Sequence, residues 1–177
     1  MALVVLLRGL NVGGHRRFRP SRLAEQLQHL DTANIGATGA FVVRQPVSHA
    51  QLRLEIARKL PFDAEIMICD GRDIVKLMSL DFFAGYPVRP DLVHFVSLLS
   101  RPPRPAPLLP VHFPPDGEWV LKVLARHGRF VLGMYRREMR AIHYLCELDR
   151  FFGASVTTRS WTTITAIAKA LGWRPHD

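Results

Sequence analysis

The run ALVVLL, Ala2 to Leu7, constrains the fold more than any other stretch. It is continuously apolar and carries two adjacent β-branched valines, so it offers no polar face to water. Such a run reads as a central strand with neighbours on either side and cover on both faces. Val4 and Leu6 would lie on one face, Val5 and Leu7 on the other. A chain built around that strand needs at least one packed layer beyond its sheet. Its 177 residues are enough for one compact domain or two small ones.

The next elements follow from local chemistry. Pro20 suits the first position of a helix, and Leu23, Leu27 and Leu30 give it a buried stripe. A short strand near 34–36 and the apolar GAFVV, Gly39 to Val43, come next. Ser48 and Gln51 form a capping-box pattern, Val47 and Leu52 a hydrophobic staple, and Leu52, Ile56 and Leu60 continue the helix. EIMIC, Glu65 to Cys69, is another strand, after which Asp70 is placed to cap a short helix carrying Ile74, Leu77 and Met78. The order β-α-β-β-α-β, with a helix appended, suits a split βαβ, ferredoxin-like sheet.

The second half begins with LVHFVSLL, Leu92 to Leu99. RPPRPAPLLPVHFPP, residues 101–115, then excludes helix and central strand because proline lacks the N–H that both require. It reads as a stiff surface connection, and an interaction module acting through it is one conceivable role. EWVLKVL and RFVLGMY flank a turn at Gly128, a helix from about Arg137 stops at Gly153, and SVTTRSW leads into a last helix with Ile164, Ile167, Ala168 and Leu171 on one face. The expected class is α+β with mainly antiparallel sheets. The expected organisation is 1–89 as an N-terminal unit with its appended helix and 90–177 as a C-terminal unit.

LLRGLNVGGHRRF, NIGATGAFVV and SVTTRSWTTI resemble three signature stretches of the domain-of-unknown-function 1697 family, small bacterial proteins. The likeness runs from about Leu3 to Leu171. In the first stretch Arg8, Gly9, Asn11, Val12, Gly13 and Gly14 match, with Leu10 in place of the usual isoleucine. In the last, Thr157, Thr158, Arg159, Trp161 and Thr163 match, while Ser160 and Thr162 stand where asparagine is usual. The middle stretch has Thr38, Gly39 and Ala40 where the family shows Ser-Gly-Asn, and MYRREMR replaces a Gly- and Lys-containing stretch. These departures fall on polar positions, so a ligand site there would be altered in this chain. The resemblance implies two consecutive ferredoxin-like units and no particular reaction.

Charge points the same way as the first and last stretches. The formal net charge is +9, and 20 of the 24 basic residues are arginine. No acid precedes Glu25, whereas Arg8, Arg16, Arg17, Arg19 and Arg22 do; a second cluster, Arg126, Arg129, Arg136, Arg137 and Arg140, has only Glu138 among it. Solvated surface is the plain reading of such clusters. A loop between a buried strand and a helix start can also hold an anion. Arg8, Arg16 and Arg17 would supply charge-assisted bonds, while Asn11 and the backbone of Gly13 and Gly14 would orient the ligand. Thr158 and Arg159 sit beside the last helix start, where Thr158 or Ser160 would cap, Thr158 would alternatively donate to the ligand, and Arg159 would clamp an anion.

Several chemistries find no support. GxxxxGK[ST], GxGxxG and GxSxG are absent. The eight histidines show no metal-ligand spacing, carboxylates do not cluster, and neither a metal nor a cofactor is expected. His94, inside an apolar strand, reads as a packed histidine. The strand GAFVV offers Phe41 but lacks the basic-Gly-Phe-x-Phe pattern of an RNA-recognition strand. The two cysteines are unpaired in spacing, no run spans a membrane and the opening lacks a signal-peptide pattern, so a cytoplasmic protein is expected. The partner expected is a small phosphorylated or otherwise anionic ligand. Nucleic acid, attracted by the basic surface, is the alternative.

Overall fold

The computed structural model describes residues 1–9 and 18–175. They form two antiparallel sheets and five α-helices, an α+β architecture in two compact units. The first unit is Met1–Leu80 joined by the C-terminal segment from Thr165; the second is Asp81–Ile164.

In the first unit β1 (Leu3–Arg8) lies between β3 (Ala40–Val43) and β4 (Glu65–Asp70), and β2 (Thr32–Ile35) pairs with β3 at one edge. The order β2-β3-β1-β4 with every neighbour antiparallel is compatible with a split βαβ unit. β1 is interior, and none of Leu3 to Leu7 is more than 4% exposed. Leu3, Val5 and Leu7 pack in one cluster with Leu23 and Leu27 and with Leu52 and Ile56. Val4, in register with Val42 and Cys69 across the sheet, is buried on the other face. The run without a polar face is therefore covered twice, as its composition requires.

Helix α1 (Pro20–Gln26) opens on its proline, and a 3₁₀ turn, Gln28–Leu30, carries the stripe to Leu30. Helix α2 (His49–Lys59) starts in a complete capping box, with the Ser48 hydroxyl accepting from the Gln51 N–H at 3.2 Å. Helix α3 (Gly71–Ser79) buries Ile74, Leu77 and Met78. Asp70 occupies its N-cap position, but its side chain does not cap: Oδ1 lies 3.2 Å from His49 Nε2 instead. A nearby cationic or donor side chain has won that carboxylate from the helix end.

The second sheet has the order β6-β7-β8-β5-β9, again antiparallel throughout. Its strands are β5 (Leu92–Leu99), β6 (Val111–Phe113), β7 (Leu121–His127), β8 (Phe130–Arg136) and β9 (Val156–Ser160). Without the short edge strand β6, this order repeats that of the first sheet, β2-β3-β1-β4. The proline-rich connection between β5 and β7 stands where the first unit has α1. It contributes only β6, an edge strand, a place in a sheet that tolerates flanking prolines. Helix α4 (Met139–Phe152) buries Ala141, Leu148 and Phe152 and ends on Gly153 at φ 62°, a left-handed stop. Helix α5 (Trp161–Ala170) follows β9 with no intervening residue, as α3 follows β4.

Candidate functional site

The polar residues singled out at the N-terminus divide between described and undescribed positions. Asn11, Gly13, Gly14, Arg16 and Arg17 lie outside the described residues. Arg8 is the last residue of β1, and its Nη1 makes an ion pair of 3.5 Å with Glu65 Oε2 across the strand pair. Both side chains are open to water, at 35% and 49%.

The C-terminal segment is placed differently from a helix-end clamp. Thr157, Thr158 and Arg159 are strand residues of β9, paired with β5. The Thr158 hydroxyl lies 2.6 Å from that of Ser97, its partner in register, so it bridges strands and does not cap. Ser160 is the cap: its Oγ accepts from the Thr163 N–H at 3.2 Å. Arg159 is buried at 9% exposure and its Nη1 donates to the Thr157 hydroxyl and the Thr158 carbonyl, both at 2.9 Å. Removal from water lowers its pKa to about 10.

Beside this segment the second unit has a cleft of about 400 Å³. The first residues of β5, the exit of β8 and the β9–α5 junction meet there, and its lining includes Arg89, His94, Tyr135, Arg137, Ser160 and Trp161. Backbone and side-chain bonds hold its cations in place. The Arg137 N–H donates to the Asp91 carbonyl and its Nε to the Pro90 carbonyl, each at 2.9 Å. Arg89 grips Asp91 with two bonds of 2.9 and 2.7 Å. Burial raises the pKa of the Tyr135 phenol, and the Arg137 charge opposes that shift, so the guanidinium field reaches the phenol.

Aromatic contacts order the His94 and Trp161 rings of the lining. Phe83 stacks on the His94 ring, centroids 4.5 Å apart and planes 8° from parallel, and meets Trp161 edge-on at 5.0 Å and 69°. His94 Nε2 lies 3.0 Å from the Pro87 carbonyl oxygen. A carbonyl can only accept, so Nε2 carries the proton. His94 is thus a packed, anchored histidine, as its place in an apolar strand implies. The Ser160 hydroxyl serves the backbone and the Thr163 hydroxyl. The cleft therefore presents charge and ring surface, with the Ser160 hydroxyl and the His94 imidazole in structural use and the Tyr135 and Thr162 hydroxyls also in its lining.

A larger hollow, about 510 Å³, runs along α1 in the first unit and carries Arg19, Arg22 and Lys59 with Glu25 among them. Among the described residues no three His, Cys, Asp or Glu side chains converge as a metal site would need, and no helix is long and apolar enough to cross a membrane. Sequence reasoning reached Trp161 and Ser160 through the family stretch, but it missed Arg89, Tyr135 and Arg137 as cleft residues. Arg137 was legible only as one of a basic cluster.

Two antiparallel sheets of matching order, the second with a cationic cleft at its strand-to-helix junction, define a two-unit α+β protein. The chain belongs to the family described as a protein of unknown function, DUF1697, whose profile matches residues 1–118. The first and middle signature stretches fall inside that match and the last lies beyond it. No curated protein and no solved structure matches the chain.

Proposed function

We propose that this protein binds a small phosphorylated or otherwise anionic ligand, and that the cleft at the start of α5 receives it. The observation that carries this reading is Arg137, fixed through Nε to Pro90 and lining the same cleft as Ser160 and Trp161. A guanidinium held by one edge keeps its other donors for a ligand, and an anion there also meets the positive end of a ten-residue helix. Arg8 is the described member of the N-terminal cationic segment. It pairs with Glu65 in the first unit and is not among the residues that line this cleft.

The test is a thermal-shift titration of the full chain with inorganic phosphate, pyrophosphate and nucleic-acid oligomers, at about 50 mM salt and again at about 200 mM. A ligand at 100-fold its dissociation constant adds about 2.7 kcal/mol. For a chain of this size that corresponds to roughly 5–10 °C. Small anions should produce such a shift, and Arg137→Ala should abolish it. A shift seen only with oligomers, growing with their length and collapsing with salt, would replace this reading with nucleic-acid binding. No shift with any anion would refute it.

A further inference from the structure

We infer that the ligand of this cleft joins its anionic group to a planar aromatic ring, as a nucleoside monophosphate does. The inference rests on the anion-binding reading above and names the class of ligand. A cleft of about 400 Å³ lies within the range of roughly 300–1,000 Å³ typical of sites for whole small molecules, far beyond the needs of one phosphate group. Its lining divides by chemistry. Arg137 supplies charge, Arg89 being paired with Asp91, whereas Leu92, Val93 and the Trp161 indole supply apolar surface that a bare anion would leave unused.

The ring wall is also oriented before any ligand arrives. Trp161 meets Phe83 edge-on, Phe83 stacks on His94, and His94 donates to the Pro87 carbonyl. A ring fixed in this way loses little freedom when a second ring stacks on it. The first unit shows that the fold itself does not demand an aromatic here. At its β4–α3 junction, the matching place in the topology, the first helical residue is Gly71. A side chain there would come within 2.8 Å of Leu171 Cδ2 and 3.0 Å of the Ala2 carbonyl oxygen. The hollow beside it is lined by Met1, Ala2, Arg72, Val75, Lys76 and Leu171, with cations but no ring. The indole of Trp161 is therefore particular to the second unit, in the same cleft as Arg137.

Calorimetric titration of the full chain tests this with inorganic phosphate, ribose 5-phosphate, the four ribonucleoside 5′-monophosphates and the corresponding nucleosides. At least one monophosphate should bind about tenfold or more tightly than ribose 5-phosphate, the gain expected of one base stacked on an aromatic side chain. Trp161→Leu should remove that gain and leave ribose 5-phosphate unchanged, while Trp161→Phe should restore part of it. Arg137→Ala should weaken every phosphorylated ligand alike. If all monophosphates bind no better than ribose 5-phosphate, the ring inference is overturned and the anion reading stands. If nothing binds, both fall. Should Trp161→Leu not fold, the comparison of ligands on the native chain decides alone.

Discussion

Arginine outnumbers lysine 20 to 4 in this chain, and the structure shows what the guanidinium is used for. Arg101 donates to the Gly153 carbonyl at 2.7 Å, Arg126 to Gly128 at 2.6 Å, and Arg129 to Leu99 at 3.3 Å. Arg136 donates to the Trp119 carbonyl at 2.9 Å while its guanidinium carbon lies 4.6 Å from the centre of the Trp119 ring. A planar group with five donors can tie a strand end or a loop and still face water, which an ammonium does less well. Much of the basic character thus serves backbone carbonyls. The two arginines of the signature stretches differ in this respect. Arg8→Ala should cost less than about 1 kcal/mol, because it removes a solvent-open pair. Arg159→Ala should cost about 2 kcal/mol, because it removes packing and takes a donor from the buried Thr157 hydroxyl. Melting temperatures of the two variants measure the difference, and equal falls would contradict it.

At the scale of elements, the local signals that carry their own physics were legible. Pro20 at a helix start, the Ser48–Gln51 capping box, the turn at Gly128 and the stop at Gly153 each depend on a few neighbouring residues. Signals that depend on distant neighbours were not. Asp70 has the chemistry of a cap, yet His49, remote in sequence, holds its carboxylate. Thr158 and Ser160 were equally suited to cap α5, and only strand pairing with Ser97 separates them. Gly133 is a further case: within β8 it reads as a weak point, but it faces Phe95 and Val123 across two strand pairs. A Cβ there would overlap the Lys122 carbonyl oxygen and come within 2.6 Å of the Phe95 ring. Gly133→Ala should cost about 3 kcal/mol, the upper end for overpacking, or prevent folding. Denaturant unfolding of the variant checks this, and a loss below about 1 kcal/mol would mean that both the β7 backbone at Lys122 and the Phe95 ring can give way.

For the molecule as a whole, the repeated strand order is the main finding, because it sets the β9–α5 junction against its β4–α3 counterpart. The last helix adds a constraint that runs along the entire chain. From Thr165 onward it belongs to the first unit, where Arg44 donates to the Ala170 carbonyl at 3.1 Å and Leu171 packs on Gly71. Ile167, fully buried, lies in that part. Ile167→Ala should cost roughly 2–5 kcal/mol. In hydrogen exchange the loss of protection should concentrate in β1–β4, although the change lies some hundred residues further on. Loss confined to β5–β9 would show that the helix supports the second unit instead.

By itself, the sequence determined most of the elements and the covering of β1, because apolar runs, caps and turns act over a few residues through sterics and the removal of apolar surface from water; β6 and β9 were not legible as strands. It also pointed to the β9–α5 junction. The tertiary structure decided which of two hydroxyls caps α5, that Arg159 is a buried strand residue, and that Arg137 and Trp161 line one cleft. Those outcomes depend on register and on strand order, which join residues far apart in the chain. No local pattern encodes them.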